Sequence, residues 1–397
     1  MFKNILKIFS SHIVVKALGL LNVVIIINAL SLKNFGEYSY YLVTLGLITI
    51  IVNPIFSSYL IEFRINEFKK FNFGLLVVPL ILITPFYFGI SYLKNQVNFS
   101  IFILFSFTYI LYAVLKYYLN VKEKYFEYGI VDITLQLIIL VSSIIVIYAY
   151  QSNDFIFLLF FTYSATFTSS IILYFILVKR KDFEFSIDYN RIKTLVLKSK
   201  YFIFYSVITP FIAFIDSYFI DNYLLESELG YYSFSLKLFN ISMMLIVPIT
   251  TVLNIEQIKI AKQDNYWVFV NDNFKKVLSL ASVFFIAAVL VNIIVLWFVF
   301  PEYKPSFWTT NVLLATSFII YLCLPFSFLM AYKKYKQLFK LALTAIVIDI
   351  IINFLFIEQF GVIASAFATF FAYFIISFGG AIMSFVLLKK NKIFKKI

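Results

Sequence analysis

Ionisable side chains inside long apolar stretches are the residues of this chain best placed to do chemistry. Asp216 and Lys237 lie in consecutive apolar stretches, each ten residues from a turn read as centred on Glu226–Ser227. At 1.5 Å per helical residue both sit ~15 Å along their helices from that turn. The reading predicts that they face each other and pair as ammonium and carboxylate, a charge pair that a ligand can open. Inserting such a group into hydrocarbon costs at least ~2.5 kcal/mol, so each is a functional candidate, with a buried structural ion pair as the alternative. Lys16 and Asp132 stand at similar depth near the start of two other stretches and form a second expected pair. For Lys16 the competing reading is a side chain that snorkels to the interface. Asp349 and Asn353, at i and i+4, share one helix face. Asp349 there is either a proton carrier or a structural hydrogen-bonding group.

These residues belong to a repeated unit. Sliding the sequence by 194 residues lays Lys16–Ile55 on Pro210–Ile249 without a gap. Gly36 then meets Gly230, Tyr38 meets Tyr232, Ser39 meets Ser233 and Pro54 meets Pro248. Asn22 meets Asp216, so the ionisable version stands only in the second copy. Each copy reads as two apolar segments joined by a short polar turn, and a repeat near half the chain length predicts two similar halves. Repeated membrane halves are a common plan for transporters.

At 62% apolar and 13% charged residues, with a mean hydropathy of +0.95, the chain reads as an integral membrane protein. A spanning helix needs about 20 mainly apolar residues. Twelve stretches qualify: 11–31, 37–61, 73–93, 99–119, 129–150, 155–178, 201–222, 231–254, 278–300, 309–331, 341–357 and 360–388. None shows the period-two alternation of a barrel strand, so the expected fold is all-α. With the N-terminus placed in the cytoplasm, 28 of the 33 Lys and Arg fall in inside segments and three in outside loops. That bias predicts cytoplasmic N- and C-termini. The basic segments fit anionic lipid headgroups and do not suggest nucleic acid.

Six spans, residues 1–178, form an expected N-terminal lobe. A basic linker, 179–200, leads to a C-terminal lobe over 201–397. Residues 1–10 and the apolar run after them read as a retained first span, without a small-residue cleavage site. The single His12 and single Cys323 exclude a disulfide framework and a Cys- or His-based metal site. No Gly-rich phosphate loop occurs and no stretch is long enough for a soluble catalytic domain, so neither a metal nor a nucleotide cofactor is expected.

Three patches carry a family resemblance. The stretch Ile215-Asp216, then Leu229-Gly230-Tyr231-Tyr232-Ser233 and Pro248, resembles the seventh and eighth spans of Wzx-type O-antigen and lipid-linked oligosaccharide flippases. These belong to the multidrug/oligosaccharidyl-lipid/polysaccharide exporter superfamily. Asn34-Phe35-Gly36-Glu37-Tyr38 looks like that family's first external turn. Asp349-x-x-x-Asn353, followed by Phe360-Gly361-Val362-Ile363-Ala364-Ser365-Ala366 and Ala368-Thr369, is similar to its last two spans. There Asp349 replaces an Asn and Ala364 a Gly.

The resemblance implies an all-α polytopic membrane protein of twelve transmembrane helices, in two pseudo-symmetric six-helix bundles around a central cavity. It implies a non-enzymatic carrier of the bacterial inner (plasma) membrane. Such a carrier moves undecaprenyl-pyrophosphate-linked oligosaccharide outward for O-antigen or capsule assembly, beside a polysaccharide polymerase and a chain-length regulator. Lys237, Lys16 and Asn22 are then the expected substrate contacts, with Asp216, Asp349 and Asp132 as ion-coupling or charge-pair residues for a H⁺ or Na⁺ gradient. Relatives often carry arginines on the second span, whereas here no cation precedes Arg64 at its edge. The competing readings are an ion-coupled drug or metabolite antiporter of the same superfamily and a non-transporting assembly scaffold. An antiporter would want an acid where Asn22 stands.

Overall fold

The structure, a computed structural model, describes residues 2–62, 71–72, 87–88, 98–122, 124–178, 183–184, 189–243, 253, 257, 266–330 and 332–394. Among them run eleven long helices. They are α1 (Phe2–Ala29), α2 (Leu32–Glu62), α3 (Phe99–Val121), α4 (Tyr125–Ile144), α5 (Phe155–Leu177), α6 (Tyr189–Tyr223), α7 (Glu226–Ser242), α8 (Tyr266–Ile294), α9 (Phe307–Cys323), α10 (Tyr335–Phe360) and α11 (Val362–Phe394). A π-helical turn extends α4 through Ala149 and another extends α8 through Val299. The one strand pairing among the described residues joins β1 (Phe71–Asn72) to β2 (Phe183–Glu184) in parallel.

Helices dominate because a chain this apolar must satisfy its backbone N–H and C=O groups internally wherever lipid replaces water. Eight of the described helical segments are long and apolar enough to cross a membrane, and Val14–Ala29 is a shorter apolar one. The protein is thus a multi-pass membrane protein. All of the expected span 73–93 except residues 87–88, and most of the second half of 231–254, with Pro248, lie outside the described residues. So does the side chain of His12.

The chain divides into two compact units, Met1–Val207 and Ile208–Ile397, and the division falls inside α6. In the first unit α1 packs along α4, α3 along α5 and α2 along α3. In the second, α10 and α11 form the most extensive pairing, and α9 packs on α11, α8 and α7. The repeat is visible in the helix ends. α1 ends at Ala29 and α2 begins at Leu32, whereas α6 ends at Tyr223 and α7 begins at Glu226. Both termini are displaced by the same 194 residues, and both turns consist of two residues, Leu30–Ser31 and Leu224–Leu225.

Local sequence fixes the other joints. Asp154 caps α5 by accepting from the Ile156 backbone N–H at 2.9 Å. Gly361 separates α10 from α11 at φ 60° and ψ −147°, a conformation only glycine adopts without strain. Gly379 lets α11 approach α10, because a Cβ there would stand 2.7 Å from Leu341 Cδ2. Gly379→Val is therefore expected to lower stability by about 1–3 kcal/mol. Thermal unfolding of the purified protein should show the loss, with partial recovery when Leu341→Ala is added. An unchanged melting temperature would disprove the close contact.

Candidate functional site

Polar side chains from four helices of the second unit converge around Asp216. Asp216 itself comes from α6 and is fully buried. From α7, Tyr232 donates its hydroxyl to Oδ2 at 2.5 Å. From α10, Asn353 donates Nδ2 to Oδ1 at 2.8 Å and also to the Asp349 backbone carbonyl at 3.1 Å. From α11, Thr369 donates its hydroxyl to Oδ2, while Ser365 donates to Asn353 Oδ1 at 2.6 Å. That last bond fixes the amide, since an oxygen turned to Ser365 leaves the nitrogen for Asp216. Three donors to one carboxylate satisfy its oxygens and offset part of the cost of burying it.

Asp349 is the exception in this cluster. It lies one helical turn before Asn353, is fully buried, and has no hydrogen-bond partner on either carboxyl oxygen. It also lies within Coulombic reach of Asp216. Two carboxylates at 0% exposure, one of them without a donor, cannot both remain anionic without a positive charge between or beside them.

Two expected pairings are corrected. Asp216 does not pair with Lys237: its carboxylate is taken by Tyr232, Thr369 and Asn353, and no ion pair joins the two residues. The reason is the position of the turn. It centres on Leu224–Leu225 rather than Glu226–Ser227, so Asp216 and Tyr232 stand at matching depth. Lys237 is five residues beyond Tyr232, roughly 7.5 Å further along α7. There it is half-buried and makes no hydrogen bond or ion pair among the described residues.

Asp132 pairs not with Lys16 but with Lys116. The Lys116 ammonium lies 3.0 and 3.1 Å from the two Asp132 oxygens and 3.2 Å from the Tyr112 hydroxyl. It also stands 4.3 Å from the centre of the Tyr128 ring. The tight α3–α4 connection sets this, because Lys116 is five residues before the end of α3 and Asp132 seven into α4. Lys116 is 20% exposed and belongs to the interior of the helix hairpin. Lys16 is exposed on α1, and Asn22 on the same helix is buried.

The sequence therefore located Asp216, Asp349 and Asn353 but not what they touch. Tyr232, Ser365 and Thr369 stood in the repeat and in the third motif without a role. The recurrence of Tyr at 38 and 232 opposite Asn22 and Asp216 was the available signal.

A family model described as polysaccharide biosynthesis protein matches residues 1–254. No curated protein matches the chain. Among solved structures, a multidrug resistance MATE family transporter of the MOP superfamily, in an inward-facing conformation, superposes with a TM-score of 0.72. It is 12% identical, and 95% of each chain is covered. The lipid II flippase MurJ, in an inward closed conformation, gives a TM-score of 0.72 at 15% identity, covering 98% of this chain and 88% of that one. A MOP superfamily transporter from Pyrococcus furiosus gives 0.62 at 11% identity, covering 98% and 96%. At these identities the likeness establishes the fold, that of the MOP superfamily transporters.

Proposed function

This chain belongs to the polysaccharide biosynthesis protein family, and from that premise we propose that it is a flippase for undecaprenyl-pyrophosphate-linked oligosaccharides. It carries the repeat unit from the cytoplasmic to the outer leaflet of the bacterial inner membrane. There a polysaccharide polymerase and a chain-length regulator assemble O-antigen, capsule or a similar surface glycan. Its termini lie in the cytoplasm.

One observation carries this reading. Among the described residues the second unit holds an ammonium without a counter-charge, Lys237, and a carboxyl without a donor, Asp349, and the two are not paired with each other. Opposite charges left apart inside apolar helices are each available to a ligand of opposite sign. Lys237 then serves the pyrophosphate of the cargo, with Lys16 as a second contact. The Asp216–Asp349 cluster serves a coupling cation, Na⁺ or H⁺. For that cation Asp216, Asp349, Thr369 and Ser365 offer oxygen atoms, the ligand type hard cations prefer. Coupling follows because Asp216 ties α6 to α7, α10 and α11. A cation that neutralises the cluster changes how strongly those helices are held together, a differential interaction that shifts a conformational equilibrium. Asp132 takes no part in this exchange, since Lys116 already neutralises it.

The family match favours a glycan-lipid cargo over the antiporter alternative, and so does Asn22 in place of an acid. Deleting the gene in its host should cause complete pyrophosphate-linked repeat units to accumulate on the cytoplasmic side, read by mass spectrometry, with loss of surface glycan. Complementation with Lys237→Arg should restore export, and Lys237→Met should leave it reduced by about 5–150-fold, the span of a 1–3 kcal/mol interaction. If no lipid-linked sugar accumulates and the cells become sensitive to cationic dyes, the antiporter reading replaces this one.

A further inference from the structure

The first unit carries, at matching helix register, uncharged counterparts of the residues that form the Asp216 cluster. Counting from the helix ends shows it. Asn22 lies seven residues before the end of α1, as Asp216 lies seven before the end of α6. Tyr38 is the seventh residue of α2 and Tyr232 the seventh of α7. Thr162 is the eighth residue of α5 and Thr369 the eighth of α11. Asn353 lies seven residues before the end of α10, and Ser142 seven before the end of the π turn that closes α4, with Ser143 beside it. One turn earlier, where Asp349 stands in the second unit, the first has Ile138 and Ile139.

The first-unit side chains are buried like their counterparts, with Asn22 and Thr162 at 6%, Tyr38 at 8% and Ser142 at 3% exposure. Their bonding is different. Asn22 Oδ1 and Thr162 Oγ1 are buried with no hydrogen-bond partner, and so is the Ser39 hydroxyl next to Tyr38. In the second unit Asp216 gathers Tyr232 and Thr369 because an anion attracts two hydroxyl donors at once. A neutral amide oxygen in the same place exerts less pull and leaves such groups unmade. Unpaired acceptors and hydroxyls among neutral side chains suit a buried water molecule, which supplies donors without adding charge.

Resting on the coupling role read for the second unit, we infer that the first unit carries a silenced copy of the coupling site. It holds water and no cation, and Asn22 is the residue that silences it. Each molecule then binds one coupling cation, in the unit that contains Asp216.

The test is a cation count on the purified full chain, using radioactive Na⁺ and, in parallel, proton uptake on acidification. Wild type should bind one cation and the double variant Asp216→Asn/Asp349→Asn none. Adding Asn22→Asp to that double variant should restore one, with weaker affinity because Ile138 and Ile139 supply no second carboxyl. Asn22→Leu and Thr162→Val, which make the first-unit pocket apolar, should leave the count at one. Two outcomes overturn the inference while leaving the second-unit reading intact. One is a wild-type count of two that falls to one in Asn22→Leu. The other is a folded triple variant, judged by its thermal unfolding, that binds nothing. A wild type that binds neither Na⁺ nor a proton removes the second-unit reading itself.

Discussion

Asp216→Asn is expected to lower gradient-driven transport by about 10–100-fold while leaving a folded protein. That loss corresponds to a coupling free energy of roughly 1–3 kcal/mol. The substitution keeps the shape but removes the charge that holds Tyr232, Thr369 and Asn353. An amide can meet Asn353 Nδ2 with its one oxygen and the two hydroxyls, whose protons rotate, with its nitrogen. The bonds then lose their charge assistance, a cost of about 1–3 kcal/mol in stability. Asp216→Ala strands all three donors and should cost several times more, so Asn is the informative variant.

Asp349→Asn completes the test with the opposite stability effect. Asp349 has no donor on either oxygen and faces the charge of Asp216, so neutralising it should leave the melting temperature unchanged or raise it. Transport should nevertheless fall as in Asp216→Asn. Proteoliposomes with lipid-linked oligosaccharide and an imposed Na⁺ or H⁺ gradient provide the readout. If either variant keeps the full response to the gradient, the cluster is structural and the coupling site lies elsewhere.

Lys116→Met is expected to lower stability by about 3–5 kcal/mol, because it leaves the Asp132 carboxylate buried at 5% exposure without its cation. Most of that cost is the stranded charge rather than the attraction lost. Removing both charges in Lys116→Met/Asp132→Leu should therefore restore most of the stability, since a buried pair replaced by apolar groups of similar volume is often neutral. Thermal unfolding of the four proteins of this double-mutant cycle in one detergent measures the coupling directly. Equal destabilisation by the single and double variants would show that Lys116 acts by packing against Tyr112 and Tyr128, with the ion pair contributing little.

What the sequence disclosed depended on how far each signal reaches. The spans were legible because hydropathy integrates over about 20 residues and tolerates errors of a few at each end. The repeat was legible because α1–α2 and α6–α7 kept their lengths as well as their motifs. The ion pairs were not, because partner choice depends on the depth of two side chains across a turn, and a two-residue error in the turn centre is roughly 3 Å of helix on each side. That displacement exchanged Tyr232 for Lys237. Asp132 had both Lys16 and Lys116 within a plausible depth, and only the α3–α4 hairpin decides between them. Long-range partners such as Thr369, 153 residues from Asp216, leave no local trace at all.

The two-residue turn between α6 and α7 has a consequence for how this chain can change over time. It offers no slack to absorb an inserted or deleted residue. One added amino acid at Leu224–Leu225 would carry Tyr232 about 100° around its helix axis relative to Asp216, with every side chain of the cluster still present. Substitution can therefore weaken the site one bond at a time. A change in length would dismantle it in a single step. The α6–α7 turn should vary freely in composition and hardly at all in length.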